Sequence, residues 1–445
     1  MVVDNKDPIN YKKFIFENSI YIFDPSDLEV IKVFDNTNID ELCRNIIKNK
    51  RSKNESSKRN IVKENTNSYK KNNIDVVSLD LAHGCTLKCT YCYLTAGNLP
   101  KRKLTKEKFL EILDFLSDNK NHKITFYFAG ESEPTINFEL LKQIPTLCRE
   151  HGFKECTFEI TTNGTLLTQE IIDFFEKENF AVSVSLDGDK LNDQNRVFPN
   201  GRPSFDLVFD KIMQIKQSKI RFACKSVVAP DNQNLLRMSK FFDDNKIPFY
   251  IGFATRSFNG EYIPKIEDVK ILEKQLDILC DYYKKRISAN QCVYSLKIVK
   301  DLQRIHYRIT TVEGCNAAKN SFFIDMNGDI YSCSSLNSRK DLSVGNIKTG
   351  IDYEKIKAFS YYPKKVNEYS LCKSCWMRYL CSGSCIAEKW LESGDTNVPS
   401  KYLCAVNNVY WTAIIKLYIS IYPYIDGNIN FKRTPFVGGD SIYET

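Results

Sequence analysis

The sequence predicts an α/β fold built on parallel strands, and three observations carry that expectation. Between residue 74 and about residue 290, apolar runs rich in β-branched and aromatic residues alternate with segments of helical periodicity. Six strand-then-helix units follow one another, and a strand that returns to its sheet through a helix pairs parallel. Turn dipeptides such as Asn163-Gly164 and Asp187-Gly188 punctuate the strand ends. An open doubly wound sheet and a partial (β/α) barrel both satisfy this pattern. In either, ligands sit on the loops at the carboxyl ends of the strands.

Residues 1–50 read as a small α+β module. Short strands are expected at 14–16, 19–23 and 28–33, with Asp24-Pro25-Ser26-Asp27 turning between the last two. Leu42, Ile46 and Ile47 are spaced for a helix over 39–47. Next comes a Lys-, Asn- and Ser-rich tract. Over 48–73 it holds nine Lys or Arg against Glu55 and Glu64, and 51–73 reads as a solvated basic linker. The α/β region, 74–300, should carry strands at 76–81, 124–128, 157–161, 181–185, 222–228 and 249–253. Helices are expected at 138–148, 169–176, 205–215, 232–242 and 269–283. Thr105 can cap another that carries Phe109, Ile112, Leu113 and Leu116 at i, i+3, i+4 and i+7. The stretch 301–445 is rich in Cys and Gly, as a metal-stapled domain is. Its apolar run at 409–425 is interrupted by Lys416 and Pro423. That run is shorter than the ~20 residues a bilayer span needs, so it reads as a buried helix and no membrane partner is expected.

Composition narrows the function. Hydrophobic residues make up 42% of the 445 and charged residues 27%, ordinary values for a globular protein. Net charge is +8, of which +7 lies in 48–73. The remainder offers no broad basic surface, so no nucleic-acid partner is expected. Asp4, Lys6, Asp7, Lys12 and Lys13 leave no apolar run for a secretory signal. In the cytoplasmic setting this implies, stable disulfides are rare, and 16 cysteines point to metal ligation. Having only 4 histidines disfavours an ordinary catalytic zinc site.

Directly after the first strand of the array comes His83-Gly84-Cys85-Thr86-Leu87-Lys88-Cys89-Thr90-Tyr91-Cys92. Three thiolates spaced C-x3-C-x2-C on one loop suit three corners of an iron–sulfur cube and leave one iron open to a small molecule. A zinc knuckle wants a fourth Cys or His close by, and none fits well. The motif, with Tyr91 before its last cysteine, resembles the radical S-adenosylmethionine (SAM) superfamily, whose fold is a partial (β/α)6 barrel of the TIM type. Further segments match that family in order. Gly130-Glu131-Ser132-Glu133-Pro134, after the second strand, is similar to its Gly-Gly-Glu-Pro motif, with Ser132 in place of a glycine. Thr161-Thr162-Asn163-Gly164 ends the third strand. Ser183-Val184-Ser185-Leu186-Asp187-Gly188 ends the fourth, and Arg196 follows in a loop. The resemblance implies a [4Fe–4S] cluster on Cys85, Cys89 and Cys92, the expected catalytic centre. It further implies that Tyr91, Gly130, Ser132, Glu133, Pro134, Asn163, Ser185, Asp187 and Arg196 bind SAM. Glu133 would hold the methionine amino group, and Ser185 and Arg196 the carboxylate, since Arg–carboxylate pairs are charge-assisted and often bidentate.

The last third holds Cys315, Cys333, Cys372, Cys375, Cys381, Cys385 and Cys404, seven thiols in 90 residues. Cys372-x2-Cys375 alone would suit a zinc ribbon. The full spacing resembles the SPASM extension of radical SAM enzymes, which carries two auxiliary [4Fe–4S] clusters and brings the implied total to three. Residues 322–331 resemble a hairpin of that domain, and Asn327-Gly328 is a hairpin signal in its own right. By the family's interleaved pattern, Cys372, Cys375, Cys381 and Cys404 would ligate one auxiliary cluster completely. Cys315, Cys333 and Cys385 would hold the other, which lacks an obvious fourth cysteine; Cys292 is a candidate that the spacing does not support. Cys43, Cys148, Cys156, Cys224 and Cys280 stand in apolar or helical contexts and read as small core residues.

The resemblance spans roughly residues 74–410. It implies an oxidoreductase that cleaves SAM reductively to a 5′-deoxyadenosyl radical, which then abstracts hydrogen from a substrate. SPASM-bearing enzymes often modify peptides. The implied partners are therefore a ribosomally made, Cys-containing precursor peptide and a one-electron donor such as ferredoxin or flavodoxin. Residues 11–47 are the candidate for leader-peptide recognition by strand addition. The expected product is a Cys thioether or a related crosslink, as in the thioether- and sactipeptide-type maturases. An anaerobic sulfatase-maturating enzyme, which forms formylglycine, is the alternative. A non-catalytic zinc-ribbon binding protein is the reading from another class.

Overall fold

The computed structural model describes residues 11–33, 74–94, 101–130, 132–229, 233–257, 260, 262–337, 339–358 and 364–428. The expected helix at 39–47, the basic tract, Cys43 and Glu131 lie outside the described residues.

At the N-terminus β1 (Lys12–Phe16), β2 (Ser19–Asp24) and β3 (Glu29–Val33) form an antiparallel sheet in that order. Glu17 and Asn18 take left-handed φ values of 45° and 59°, as the tight turn between β1 and β2 requires. Phe14 and Phe23 are buried and meet the Trp376 ring edge-on, at 6.2 and 5.9 Å between centroids. The module is therefore packed against the Cys-rich third, and Ile15 faces solvent from β1.

The main sheet is built on six parallel strands: β4 (Val76–Leu79), β7 (Lys123–Phe128), β8 (Glu155–Thr162), β9 (Ala181–Ser185), β10 (Arg221–Val228) and β11 (Phe249–Phe253). Their order is β11-β10-β9-β8-β7-β4. Between β4 and β7 the chain makes a small antiparallel pair, β5 (Ala82–His83) and β6 (Arg102–Lys103). The helices that return the chain are α1 (Lys106–Phe115), α2 (Ile144–Glu150), α3 (Gln169–Lys177), α4 (Phe205–Gln217) and α5 (Leu235–Asp244). The strands follow one another in sequence order, the parallel α/β sheet that the alternating pattern predicts and the partial barrel that the resemblance implies. Thr105 caps α1, its side chain accepting from Lys108 N at 3.2 Å. One helix differs from expectation. The segment 138–148 is broken after its first turn, because Pro145 has no N–H to give the carbonyl four residues back and instead stands in the first turn of α2.

Alternation divides each strand between two faces. Phe126, Phe128, Phe158 and Ile160 are buried; Phe126 stacks on Phe158, Phe128 and Phe158 stack on Phe180, and Phe109 of α1 meets Phe126 at a tilt. The other face of the same strands carries Thr125, Tyr127, Thr157, Glu159 and Thr161, where Thr125 bonds Thr157 at 2.7 Å and Tyr127 bonds Thr161 at 2.8 Å.

The C-terminal third does not stand apart. After α6 (Val269–Ser288) and α7 (Leu296–His306), β12 (Ser321–Ile324) adds parallel to β4, pairing Phe323 with Ser78. β13 (Asp329–Tyr331) returns antiparallel through the expected Asn327-Gly328 turn, with Gly328 at φ 87°. Two-residue strands β14 (Gly345–Asn346) and β15 (Gly350–Ile351) complete the sheet. The boundary expected at 300/301 falls inside α7, which runs unbroken and packs against β11 and the last helix. After α8 (Ile386–Ser393), the chain ends its described course in α9 (Lys401–Asn428). This helix lies along α6 and buries Tyr410, Ile414, Ile415, Leu417 and Ile421. Among the described residues no helix is long and apolar enough to cross a membrane. Truncating the fully buried Ile414 to Ala removes methylenes at this seam; the expected loss is about 2–5 kcal/mol, read from urea unfolding.

Candidate active site

The first thiol loop lies at the carboxyl end of β4, where a parallel array presents its ligand loops. Backbone hydrogen bonds clamp it from two sides. Glu133 N donates to Gly84 O at 3.1 Å, Lys88 N to Val197 O at 2.8 Å and Thr90 N to Asn195 O at 3.1 Å. Cys85, Cys89 and Cys92 are thereby held in one another's field. Cys85 Sγ accepts from Asn163 Nδ2 at 3.2 Å and from Leu87 N at 3.5 Å, bonds that favour an anionic sulfur. Burial pushes the Cys85 thiol up to about 11, with Glu133 adding to the effect. It pushes Cys89 up to about 12 against the pull of Arg196. Left alone these groups are thiols. As thiolates they need a positive partner within the loop, which is the condition metal ligation meets.

Tyr91, Asp187 and Arg196 form a buried trio beside Cys89. The Tyr91 hydroxyl donates to Asp187 Oδ2. Arg196 Nε stands 3.1 Å from the same oxygen, and its guanidinium lies over the Tyr91 ring at 5.3 Å. Asp187 Oδ1 accepts from Val227 N at 2.8 Å. Arg196 Nη1 lies 3.9 Å from Cys89 Sγ. Asp187 thus anchors the arginine, and Arg196 keeps N–H groups on the sulfur side, where a carboxylate can meet them. Ser185 ends β9, half-buried. Tyr91 also packs with Ala229 and Ala254, with Val227 and Tyr262 beside them, a small apolar wall next to Cys89.

Glu133 is buried and largely spoken for. Its Oε1 accepts from Thr135 N at 3.2 Å, Thr135 Oγ1 at 2.6 Å and Thr162 Oγ1 at 2.6 Å, and Oε2 from Asn163 N at 2.6 Å. The carboxylate ties the end of β8 to the segment after β7 and keeps one acceptor position on Oε2. Pro134 opens a buried turn behind it. Ser132 is different: its Oγ is buried without a hydrogen-bond partner beside Gly84, an orphaned group that a bound ligand would satisfy. Gly130 passes so close to Asp80 that a Cβ would collide with the carboxylate. Gly130→Ala is expected to cost about 1–3 kcal/mol by overpacking, measured by denaturant unfolding.

The seven C-terminal thiols fall into two sets. Cys315 senses Cys333 and Cys385. Cys381 senses Cys372, Cys375 and Cys404. Cys315 precedes β12, Cys333 follows β13, Cys385 opens α8 and Cys404 lies in the first turn of α9. Burial pushes Cys315 and Cys381 up to about 12 and Cys404 up to about 11. Amide donors face the sulfurs, among them Ala317 N at 3.4 Å from Cys315 and Asn407 Nδ2 at 3.5 Å from Cys381. Between Cys381 and Cys385, Ser382, Gly383 and Ser384 all take left-handed φ values of 56°, 86° and 67°. Two non-glycine residues in that region store strain, which here aims both thiols. Cys292 is exposed beyond α6, its carbonyl bonded to Arg286 at 2.8 Å. Cys148 and Cys224 are buried in the core.

Among the described residues, no three His, Cys, Asp or Glu side chains converge tightly enough for a single metal ion. Sequence reasoning placed the thiols. It missed the Asn407 and backbone amide donors and the Asp187 anchor for Arg196, which depend on how the loops fold and not on residue spacing.

Comparison with known proteins agrees with this geometry. The family model described as Radical SAM superfamily matches residues 79–235, and that of an iron–sulfur cluster-binding domain, SPASM, matches 315–376. A serine-type anaerobic sulfatase-maturating enzyme of Bacteroides thetaiotaomicron is 24% identical over 354 residues, 72% of this chain and 84% of that protein. The structure of native anSMEcpe with bound AdoMet and Cp18Cys peptide superposes with a TM-score of 0.64 at 21% identity, covering 79% of this chain and 99% of that one. Streptococcus suis SuiB bound to precursor peptide SuiA gives 0.52 at 16%, covering 89% and 98%. At such identities the two structures share the fold.

Proposed function

From a chain that carries a radical SAM domain and a SPASM domain, and is therefore an enzyme that uses SAM and iron–sulfur clusters, we propose a peptide maturase that acts on a Cys-containing precursor. The single observation behind it is the thiol loop joined, at one mouth of the parallel sheet, to the orphaned Ser132 hydroxyl and the anchored Arg196.

Cys85, Cys89 and Cys92 would hold the SAM-binding cluster, with the two C-terminal sets holding auxiliary clusters, three in all. When bound, the reduced cluster and SAM together supply a 5′-deoxyadenosyl radical that abstracts hydrogen from the peptide. The protein's own residues bind, orient and exclude water. Arg196 meets the SAM carboxylate while Asp187 and Tyr91 fix its direction. Ser132 and the remaining acceptor of Glu133 hold the amino end. Asn163 donates to Cys85 Sγ at 3.2 Å, a bond that would favour the thiolate once a cluster is held. The apolar wall of Tyr91, Ala229 and Ala254 keeps water from the reacting atoms.

A peptide substrate is supported by the relatives: a sulfatase-maturating enzyme acts on a protein, and the two superposed structures carry a Cp18Cys peptide and a precursor peptide. Sulfur chemistry is supported by the first auxiliary set, where the described residues bring together three cysteines and Cys292 lies elsewhere. An iron with a spare position takes a substrate thiolate readily. Sulfatase maturation is the second reading, favoured by the Bacteroides relative, which spans most of both chains. The zinc-ribbon reading is overturned by the family matches, which make the chain an enzyme.

Co-expression with short Cys-containing peptides encoded beside this chain tests the proposal. A thioether-bearing product that has lost two hydrogens is the expected result by mass spectrometry. An aldehyde formed on a sulfatase peptide, with no crosslink on any precursor, would shift the assignment to the second reading.

A further inference from the structure

Lys389 plays no part in the site described so far. It lies on α8 one turn after Cys385, with its N–H bonded to the Cys385 carbonyl at 3.2 Å. The side chain is completely buried, and its Nζ has no hydrogen-bond partner. The ammonium rests 3.5 Å from the centroid of the Tyr369 ring. Gly383 leaves room for that ring: a Cβ there would stand 3.0 Å from Tyr369 Cε2 and 3.8 Å from Lys389 Nζ. Cys372, Cys381, Cys385 and Cys404 act on the ammonium electrostatically, and they come from both C-terminal thiol sets.

An ammonium buried without an anion is strongly unfavourable, and one aromatic face offsets part of the cost. Neutral thiols cannot supply the missing charge, whereas iron-ligating thiolates can. The position between the sets is therefore intelligible once both are loaded. Net charge beside an iron–sulfur cluster is one of the levers on its potential.

We propose that Lys389 is the internal counter-charge of the auxiliary clusters, a positioning residue that biases both toward their reduced, more negative state. This rests on the reading of Cys315, Cys333, Cys372, Cys375, Cys381, Cys385 and Cys404 as cluster ligands. The residue acts through a fixed charge and touches no substrate.

Anaerobic, iron-loaded wild-type, Lys389→Met and Lys389→Arg proteins provide the test, titrated potentiometrically with paramagnetic resonance as the readout. In Lys389→Met the ratio of reduced to oxidised auxiliary cluster at a fixed potential is expected to fall about tenfold, which for a one-electron couple is a shift of about 59 mV downward. The signal that responds to added SAM, from the Cys85 loop, should not move, and Lys389→Arg should titrate with wild type. Unchanged auxiliary potentials in fully loaded Lys389→Met overturn the proposal. If Lys389→Met fails to hold auxiliary iron, Lys389→Arg decides. Iron regained there supports the counter-charge, and iron lost in both variants assigns Lys389 to packing and overturns it. Wild-type protein that binds iron at the Cys85 loop alone is a different result, and defeats the three-cluster reading itself.

Discussion

Single replacement of Cys85, Cys89 or Cys92 by Ala is expected to abolish reductive cleavage of SAM, and the triple variant should be no worse than any single one. The three sulfurs share one loop clamped between the Gly84–Glu133 contact and the segment at 195–197. They are held as a unit, and residues that act as a unit give non-additive losses. Removing one leaves only two sulfurs on the loop, with no third ligand to draw a metal in. The assay is 5′-deoxyadenosine formed under a strong reductant, with iron per chain measured alongside. Cys148→Ala is the matched control: that cysteine is buried between helix and sheet and should leave cleavage intact. Cleavage that survives in Cys89→Ala would remove the catalytic assignment altogether.

The second large effect is expected at Arg196. Arg196→Leu strands the Asp187 carboxylate, which is 1% exposed, with the Tyr91 hydroxyl and Val227 N as its remaining donors. Breaking a buried pair from one side costs about 3–5 kcal/mol. The same change removes the charge that pulls the Cys89 thiol down, so Cys89 becomes a poorer ligand. Loss of stability and loss of iron should therefore appear together, the first by urea unfolding and the second by iron analysis. Arg196→Leu combined with Asp187→Leu removes both charges and should unfold later than Arg196→Leu alone. Strictly additive losses in that cycle would mean the two residues do not act as a pair.

Much of this molecule was legible in its sequence because the relevant signals are local. Alternation and helical spacing located the six parallel strands, Thr105 declared the start of α1, and Asn327-Gly328 declared its hairpin. Thiol spacing set out the candidate ligand loops for the same reason. What escaped depends on three-dimensional contacts, some of them between segments far apart in the chain. Nothing near residue 321 announces that β12 lies parallel to β4, a pairing held at its start by Asn320 Nδ2 on Asp75 at 2.6 Å. Asp187 belongs to a turn dipeptide in sequence and to Arg196 in space. Glu133 resembles a ligand-binding acid, yet it spends three of its four hydrogen bonds on two threonines, which tie its segment to the end of β8. Lys389 reads as an ordinary charged position on an amphipathic helix until the thiols of the neighbouring segments fold around it.

The seam between β4 and β12 has a consequence for how this protein can be divided. The strand that delivers the Cys85 loop borrows one of its two neighbours from the C-terminal third, so a fragment ending before β12 would bare a row of unsatisfied amides and carbonyls along β4. Such a fragment is expected to self-associate along that edge. The distal part of the chain serves as a splint for the proximal part.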